Sequence, residues 1–192
     1  MRSSPGGVAI VFRGFISADF PPTSGILRIL EQLRRSGASL KVVRPDRLHV
    51  TLKFLGDTEE GSLPEIVTTV RAACRGVGPV PVRLHGTGAF PNASRMTVLW
   101  IGLEGAEPLA AIARTLDASL AALGFPPERR PWSPHLTLAR VKGGRNLDRV
   151  RQIVRAHEGE PFGDFVVTAV RLKKSLLTPQ GPVYSTLEEV AL

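Results

Sequence analysis

Two nine-residue segments of this chain align, identical at five of their nine positions. Arg44-Pro45-Asp46-Arg47-Leu48-His49-Val50-Thr51-Leu52 is matched by Arg130-Pro131-Trp132-Ser133-Pro134-His135-Leu136-Thr137-Leu138, every residue 86 positions after its counterpart. A repeat of this period in a chain of 192 residues constrains the fold to two similar lobes, related by pseudo-twofold symmetry. The elements around the repeat follow the same order in each half. Val8 to Phe12 is a short apolar, β-branched run and reads as a buried strand, stopped by Phe20-Pro21-Pro22. Thr23 or Ser24 can cap a helix with Ile26, Leu27, Leu30 and Leu33 on one face and Gly37 at its end. A strand over about Leu48–Leu55 follows. Ser62-Leu63-Pro64-Glu65 then has capping-box spacing and opens a second helix, and Val80–Phe90 reads as a strand. In the second half, a strand at Met96–Ile101 precedes a helix bearing Leu109, Ile112, Leu116 and Leu120. A strand over about His135–Val141 follows, then a short helix capped by Asn146, then strands near Phe165–Leu172 and Val183–Val190. The expectation is one domain over 1–192, with lobes of about 1–92 and 93–192, exchange of strands between them left open.

Composition excludes several other classes. Hydrophobic residues make up 43%, too many for a disordered chain. No apolar stretch approaches the roughly 20 residues of a membrane span. The single cysteine, Cys74, leaves no internal disulfide framework and no multi-cysteine zinc site, and it falls on an apolar helical face. Met1 to Gly7 contains no signal-peptide core, so a cytoplasmic location is expected. The net charge of +8 points to a polyanionic partner such as nucleic acid.

The repeat also carries chemistry. Side chains alternate along a strand, so His49 and Thr51 share one face while Val50 and Leu52 share the other. The same holds for His135 and Thr137 against Leu136 and Leu138. Two imidazole–hydroxyl pairs then face each other across a cleft between the lobes. That suits the opening of a 2',3'-cyclic phosphate. One imidazole takes the proton of an attacking water, the other gives a proton to the departing sugar oxygen, and the hydroxyls hold the non-bridging oxygens. His85-Gly86-Thr87 has the same spacing, but it has no apolar strand face and no partner 86 positions away. His157 precedes Glu158-Gly159-Glu160 and reads as a solvated loop residue. Alternation puts Lys53 on the histidine face, where it can reach a phosphate, and puts Arg140 on the opposite face unless a bulge intervenes. Arg130, beside Arg129, is a candidate phosphate or base contact, and Arg44 occupies the matching position. Trp132 and Phe54 are candidates to stack on a base, although apolar packing is the commoner fate of such residues.

His49-Val50-Thr51-Leu52-Lys53-Phe54-Leu55-Gly56 and Ser133-Pro134-His135-Leu136-Thr137-Leu138-Ala139-Arg140 resemble the two signature motifs of the 2H phosphoesterase superfamily. Within it, the chain is most similar to the RNA 2',3'-cyclic phosphodiesterases, also called 2'-5' RNA ligases. Gly88-Ala89-Phe90-Pro91 and the segment Ser175 to Tyr184 share the resemblance. It implies a bilobal α+β fold, with antiparallel sheets lining a central groove and helices outside. It implies hydrolysis of 2',3'-cyclic phosphates to 2'-phosphomonoesters, with His49 as proton donor and His135 as proton acceptor. The near symmetry of the repeat cannot assign those roles. Thr51, Thr137, Arg130 and Lys53 are the expected substrate-binding residues. No metal or cofactor is expected, and RNA ends or small cyclic nucleotides are the expected partners of a monomeric protein. Weak reversible 2'-5' ligation is the same chemistry with an RNA 5'-hydroxyl in place of water. Two other readings stand beside this one: a non-catalytic RNA- or nucleotide-binding module using the same groove, and a metal hydrolase with the histidines as ligands. The second lacks a carboxylate at ligand-like spacing.

Overall fold

The computed structural model describes residues 11–178 and 181–192. The expected strand residues Val8 to Ile10, the Met1–Gly7 leader reading, and Pro179-Gln180 lie outside the described residues. The first half runs β1 (Val11–Asp19), α1 (Ser24–Arg35), β2 (Leu40–Val42), β3 (His49–Glu59), α2 (Leu63–Cys74) and β4 (Val80–Phe90). The second half runs β5 (Val98–Glu104), α3 (Glu107–Ala121), β6 (His135–Val141), α4 (Leu147–Ala156), β7 (Pro161–Val167), β8 (Ala169–Thr178) and β9 (Gly181–Ala191).

Local chemistry sets most of these boundaries. Thr23 is extended, and its Oγ1 accepts the Ile26 N–H at 3.2 Å, so α1 starts where the cap predicts. Its buried stripe is Ile26, Ile29, Leu30 and Leu33; Leu27, expected inside, is 43% exposed. The capping box at Ser62 does not form. Glu60–Ser62 already makes a 3-10 turn that runs into α2, and Ser62 has helical backbone angles that turn its hydroxyl from the orphan N–H groups. Asn146 does not cap α4 with its side chain either. At φ 54° it sits in the left-handed region, and its Nδ2 donates to the carbonyls of Ser36 and Gly37, tying α4 to the end of α1. The expected strand Phe165–Leu172 is two strands in different sheets, broken at Thr168, and β2 is an edge strand too short for its sequence to signal.

The architecture is α+β, with two antiparallel sheets. One has the order β3-β1-β8-β9 and the other β2-β6-β5-β4-β7. Aligning the motif strands β3 and β6 matches β3-β1-β8-β9 with β6-β5-β4-β7, leaving β2 as an addition. Each sheet draws strands from both halves of the sequence, since β4 joins the second sheet while β8 and β9 join the first. The apolar face of each motif strand enters one shared core: Val50, Leu52, Leu136 and Leu138 belong to one buried cluster with Ile66 and Val70 of α2 and Ile112 and Leu116 of α3, all at most 3% exposed, and α3 packs against β3. Cys74 is buried there, and burial pushes its thiol up to about 11. Among the described residues, no helix is long and apolar enough to cross a membrane.

Candidate active site

His49 and His135 are the first residues of β3 and β6. Each ring is fixed by its own chain. His49 Nδ1 lies 2.8 Å from the Arg47 carbonyl, and His135 Nδ1 lies 2.7 Å from the Ser133 carbonyl. A carbonyl only accepts, so Nδ1 carries the hydrogen in both rings. In the neutral ring the lone pair therefore sits on Nε2. Aromatic contacts complete the hold. Phe15 and Tyr184 lie 5.1 and 5.5 Å from His49, and Phe90 meets His135 edge-on at 4.9 Å. Phe90 also packs on Trp100, whose indole lies flat across Gly88; a Cβ there would come within 2.3 Å of the ring.

Beyond the threonines the alternation breaks, and it breaks in both lobes at the same place. Ser17 pairs with Thr51 but Ile16 pairs with Lys53, so Leu52 is an extra residue in β3. Trp100 pairs with Thr137 but Leu99 pairs with Ala139, so Leu138 is the extra residue in β6. These β-bulges stand 86 positions apart and reverse which face each later side chain takes. Lys53 is thereby removed from the histidine face. It is 2% exposed, and its Nζ donates to Asp117 Oδ1 at 2.6 Å and to the Pro126 carbonyl at 2.7 Å. Its expected phosphate contact is corrected by this bulge. The matching bulge has the opposite consequence for Arg140, which moves onto the groove face. Its charge acts on both His49 and His135, as well as on Tyr184. One guanidinium thus lies within electrostatic reach of both rings. β3 and β6 contact one another, and Trp132 Nε1 donates to the Thr51 carbonyl across them at 2.8 Å. Trp132 is thus a clamp between motif strands, whereas Phe54, also carried to the open face, is 56% exposed.

The other expected residues separate clearly. Thr51 and Thr137 are half-buried beside their histidines. Arg130 is exposed in the segment before β6, with no ion pair among the described residues, whereas Arg44 is paired with Asp46 at 3.0 Å. His157 is not solvated: it is 8% exposed, bonded through Nδ1 to Glu160 and through Nε2 to Gln32 at 2.8 Å. His85 lies on β4, 3.4 Å from Glu104.

Both groove imidazoles are held below the ordinary histidine value, first by burial. Their backbone hydrogen bonds oppose that shift, and Arg140 adds to it. His49 differs in having a neighbouring ion pair, Lys173 with Asp19 at 2.5 Å, in which the lysine lowers and the carboxylate raises its proton affinity. Two rings with hydrogen on Nδ1 and a free Nε2, beside two hydroxyls and one guanidinium, can exchange protons on either side of a bound anion. Among the described residues, no group of three or more His, Cys, Asp or Glu side chains comes together to hold a metal ion.

A family model described as the 2'-5' RNA ligase superfamily matches residues 21–176. A Methanothermobacter thermautotrophicus protein named RNA 2',3'-cyclic phosphodiesterase is 39% identical over 178 residues, spanning 92% of this chain and 96% of the relative. An Aeropyrum pernix protein of the same name is 37% identical, over 86% of this chain and 93% of its own. Among solved structures, a Thermus thermophilus protein superposes with a TM-score of 0.77 at 30% identity, covering 94% of this chain and 97% of its own. E. coli LigT complexed with 3'-AMP shares the fold, with a TM-score of 0.74 at 22% identity over 95% of this chain and 99% of its own.

Proposed function

The chain belongs to the 2'-5' RNA ligase superfamily, and from that membership we propose that it hydrolyses RNA 2',3'-cyclic phosphate ends to 2'-phosphomonoesters without a metal. The observation that carries this reading is the pairing of His49 and His135, each with Nδ1 tied to a backbone carbonyl and both near Arg140. Neutral His135 accepts a proton from water at Nε2 as the water oxygen bonds to phosphorus. The bond from phosphorus to the 3'-oxygen breaks on the opposite side, and that oxygen takes the Nε2 proton of protonated His49. Water thereby supplies the hydroxyl of the new 2'-phosphate, while His135 has gained one proton and His49 has lost one. Thr51 and Thr137 donate to the non-bridging oxygens, and Arg140 offsets their charge. The donor role of His49 and the acceptor role of His135 follow the family, since the Lys173–Asp19 pair beside His49 acts on its proton affinity in both directions. Arg130, exposed in the segment before β6, is a contact for RNA further along.

An RNA 5'-hydroxyl in the place of water gives a 2'-5' linkage by the same step. Both motifs lie in one chain, so the site is complete without a second copy, in keeping with a monomer of the cytoplasm. The test is turnover of 2',3'-cyclic AMP and of a short RNA with a cyclic end, in EDTA, with the phosphate position read by NMR. The expected product is the 2'-phosphate in both cases. Tight binding without turnover would replace this reading with a binding module, loss of activity on chelation with a metal hydrolase, and a 3'-phosphate would reverse the leaving group.

A further inference from the structure

Beside His49, on the side away from Arg140's strand, lies a cavity of about 530 Å³ lined by residues of β1, β8, β9 and the segment leading into β3. We propose that it is a subsite for the RNA strand bearing the cyclic phosphate, with Arg47 holding the phosphodiester that precedes the terminal nucleoside. The inference rests on the reading above. In-line displacement puts the departing 3'-oxygen at His49, so the ribose attached to it, and all RNA upstream, must lie on the His49 side. Water must arrive from the His135 side, where Phe90 packs edge-on against the imidazole.

The cavity meets that requirement in place, size and charge. Arg47 and Leu48 in its wall immediately precede His49, and Tyr184 packs edge-on against the His49 ring. Its volume falls in the range of small-ligand sites. Three of its residues are cations and two, Asp19 and Asp46, are carboxylates; two of the cations are already engaged. Lys173 holds Asp19 at 2.5 Å, and Arg171 holds Glu189 at 2.7 Å. The carboxylate nearest in sequence to Arg47, Asp46, is held by Arg44. Among the described residues, the Arg47 side chain bonds only the Pro182 carbonyl. A guanidinium has five donors, so most of this one's remain for a phosphate, which it can take in bidentate fashion. The rest of the wall is proline, Phe20, Leu48, Val183 and Tyr184, with no amide or aliphatic hydroxyl side chain among its lining residues. Tyr184 is the ring in this wall that can stack on a base or sugar.

The smallest probe pair is adenosine 2',3'-cyclic phosphate with and without a 5'-phosphate, because the 5'-phosphate stands where the preceding phosphodiester would be. In the wild-type protein the 5'-phosphate should raise kcat/KM, chiefly through KM. In Arg47→Ala that advantage should fall about tenfold, as expected for loss of a charge-assisted contact. Arg47→Lys should retain part of it, and Arg83→Ala, toward the far edge of the other sheet, should retain all of it. Turnover of the unphosphorylated probe reports folding of each variant. If it is turned over but the 5'-phosphate confers nothing, or Arg47→Ala keeps the full advantage, the subsite is refuted. If the wild-type protein turns over neither probe, the hydrolase reading falls and takes the subsite with it.

Discussion

At the scale of residues, the site sets two demands against each other. Burial favours the neutral form of both His49 and His135, yet the proposed step begins with one of them protonated. For free enzyme the reactive form is the singly protonated one. The acidic limb of kcat/KM appears where the base becomes protonated, and the basic limb where the acid loses its proton. Both groups are held below the ordinary value of about 6.5. Both limbs therefore move acidward, and the maximum of kcat/KM should fall below about pH 6.5. A bound phosphate anion stabilises imidazolium, so the basic limb of kcat itself should lie higher. Paired pH–rate profiles test this, and a basic limb of kcat/KM well above 6.5 would contradict it. The histidines and threonines were legible in the sequence because their spacing recurs at a fixed offset. The state of their rings was not, because it depends on carbonyls, burial and a guanidinium that only the fold brings near.

At the scale of elements, the paired bulges decide which side chains serve the groove. Strict alternation from His49 leaves Leu55 on the wet face, yet it is 6% exposed. The apolar order Val50, Leu52, Leu55 slips by one position, and that slip is the trace of the bulge in the sequence. The same slip marks β6, where Val141, the counterpart of Leu55, packs against the core although strict alternation puts it on the histidine face; reading alternation through both slips exchanges the places of Lys53 and Arg140. His157 was misread for a different reason, since its partner Gln32 is 125 residues away. Lys53 instead anchors the segment that leads to Trp132 and His135, through Asp117 and the Pro126 carbonyl. Its side chain is 1% exposed and that of Asp117 29%, so loss of the two partners is unequal. Asp117→Ala strands a buried ammonium and should cost about 3 kcal/mol in chemical denaturation. Lys53→Met fills the same channel and leaves a carboxylate that still accepts the Glu128 N–H, so it should cost clearly less. Equal losses would contradict the anchoring role.

At the scale of the whole molecule, the repeat revealed the duplication but not how the sheets share their strands. The β1–β8 and β4–β7 pairings are long-range, and no local periodicity encodes them, whereas β9 simply follows β8 in a hairpin. The same scale accounts for the surplus charge of +8. In the proposed mechanism the histidine pair needs few contacts to serve a small cyclic nucleotide, which leaves the excess of Arg and Lys for longer RNA running past the groove. Raising salt from about 50 to about 200 mM should therefore lower kcat/KM for an oligonucleotide with a cyclic end several-fold more than for 2',3'-cyclic AMP. Equal losses would reduce the basic surface to a matter of solubility. Beneath all of this stands the claim that two histidines, one from each half of the repeat, share the proton transfers. The most direct measurement is turnover of a 2',3'-cyclic nucleotide by His49→Ala, His135→Ala and the double variant, in EDTA, with thermal unfolding followed alongside. Each single variant should lose about a thousandfold or more while remaining folded, and the double variant should lose little beyond the worse of the two. A folded single variant that keeps near wild-type turnover would contradict the account.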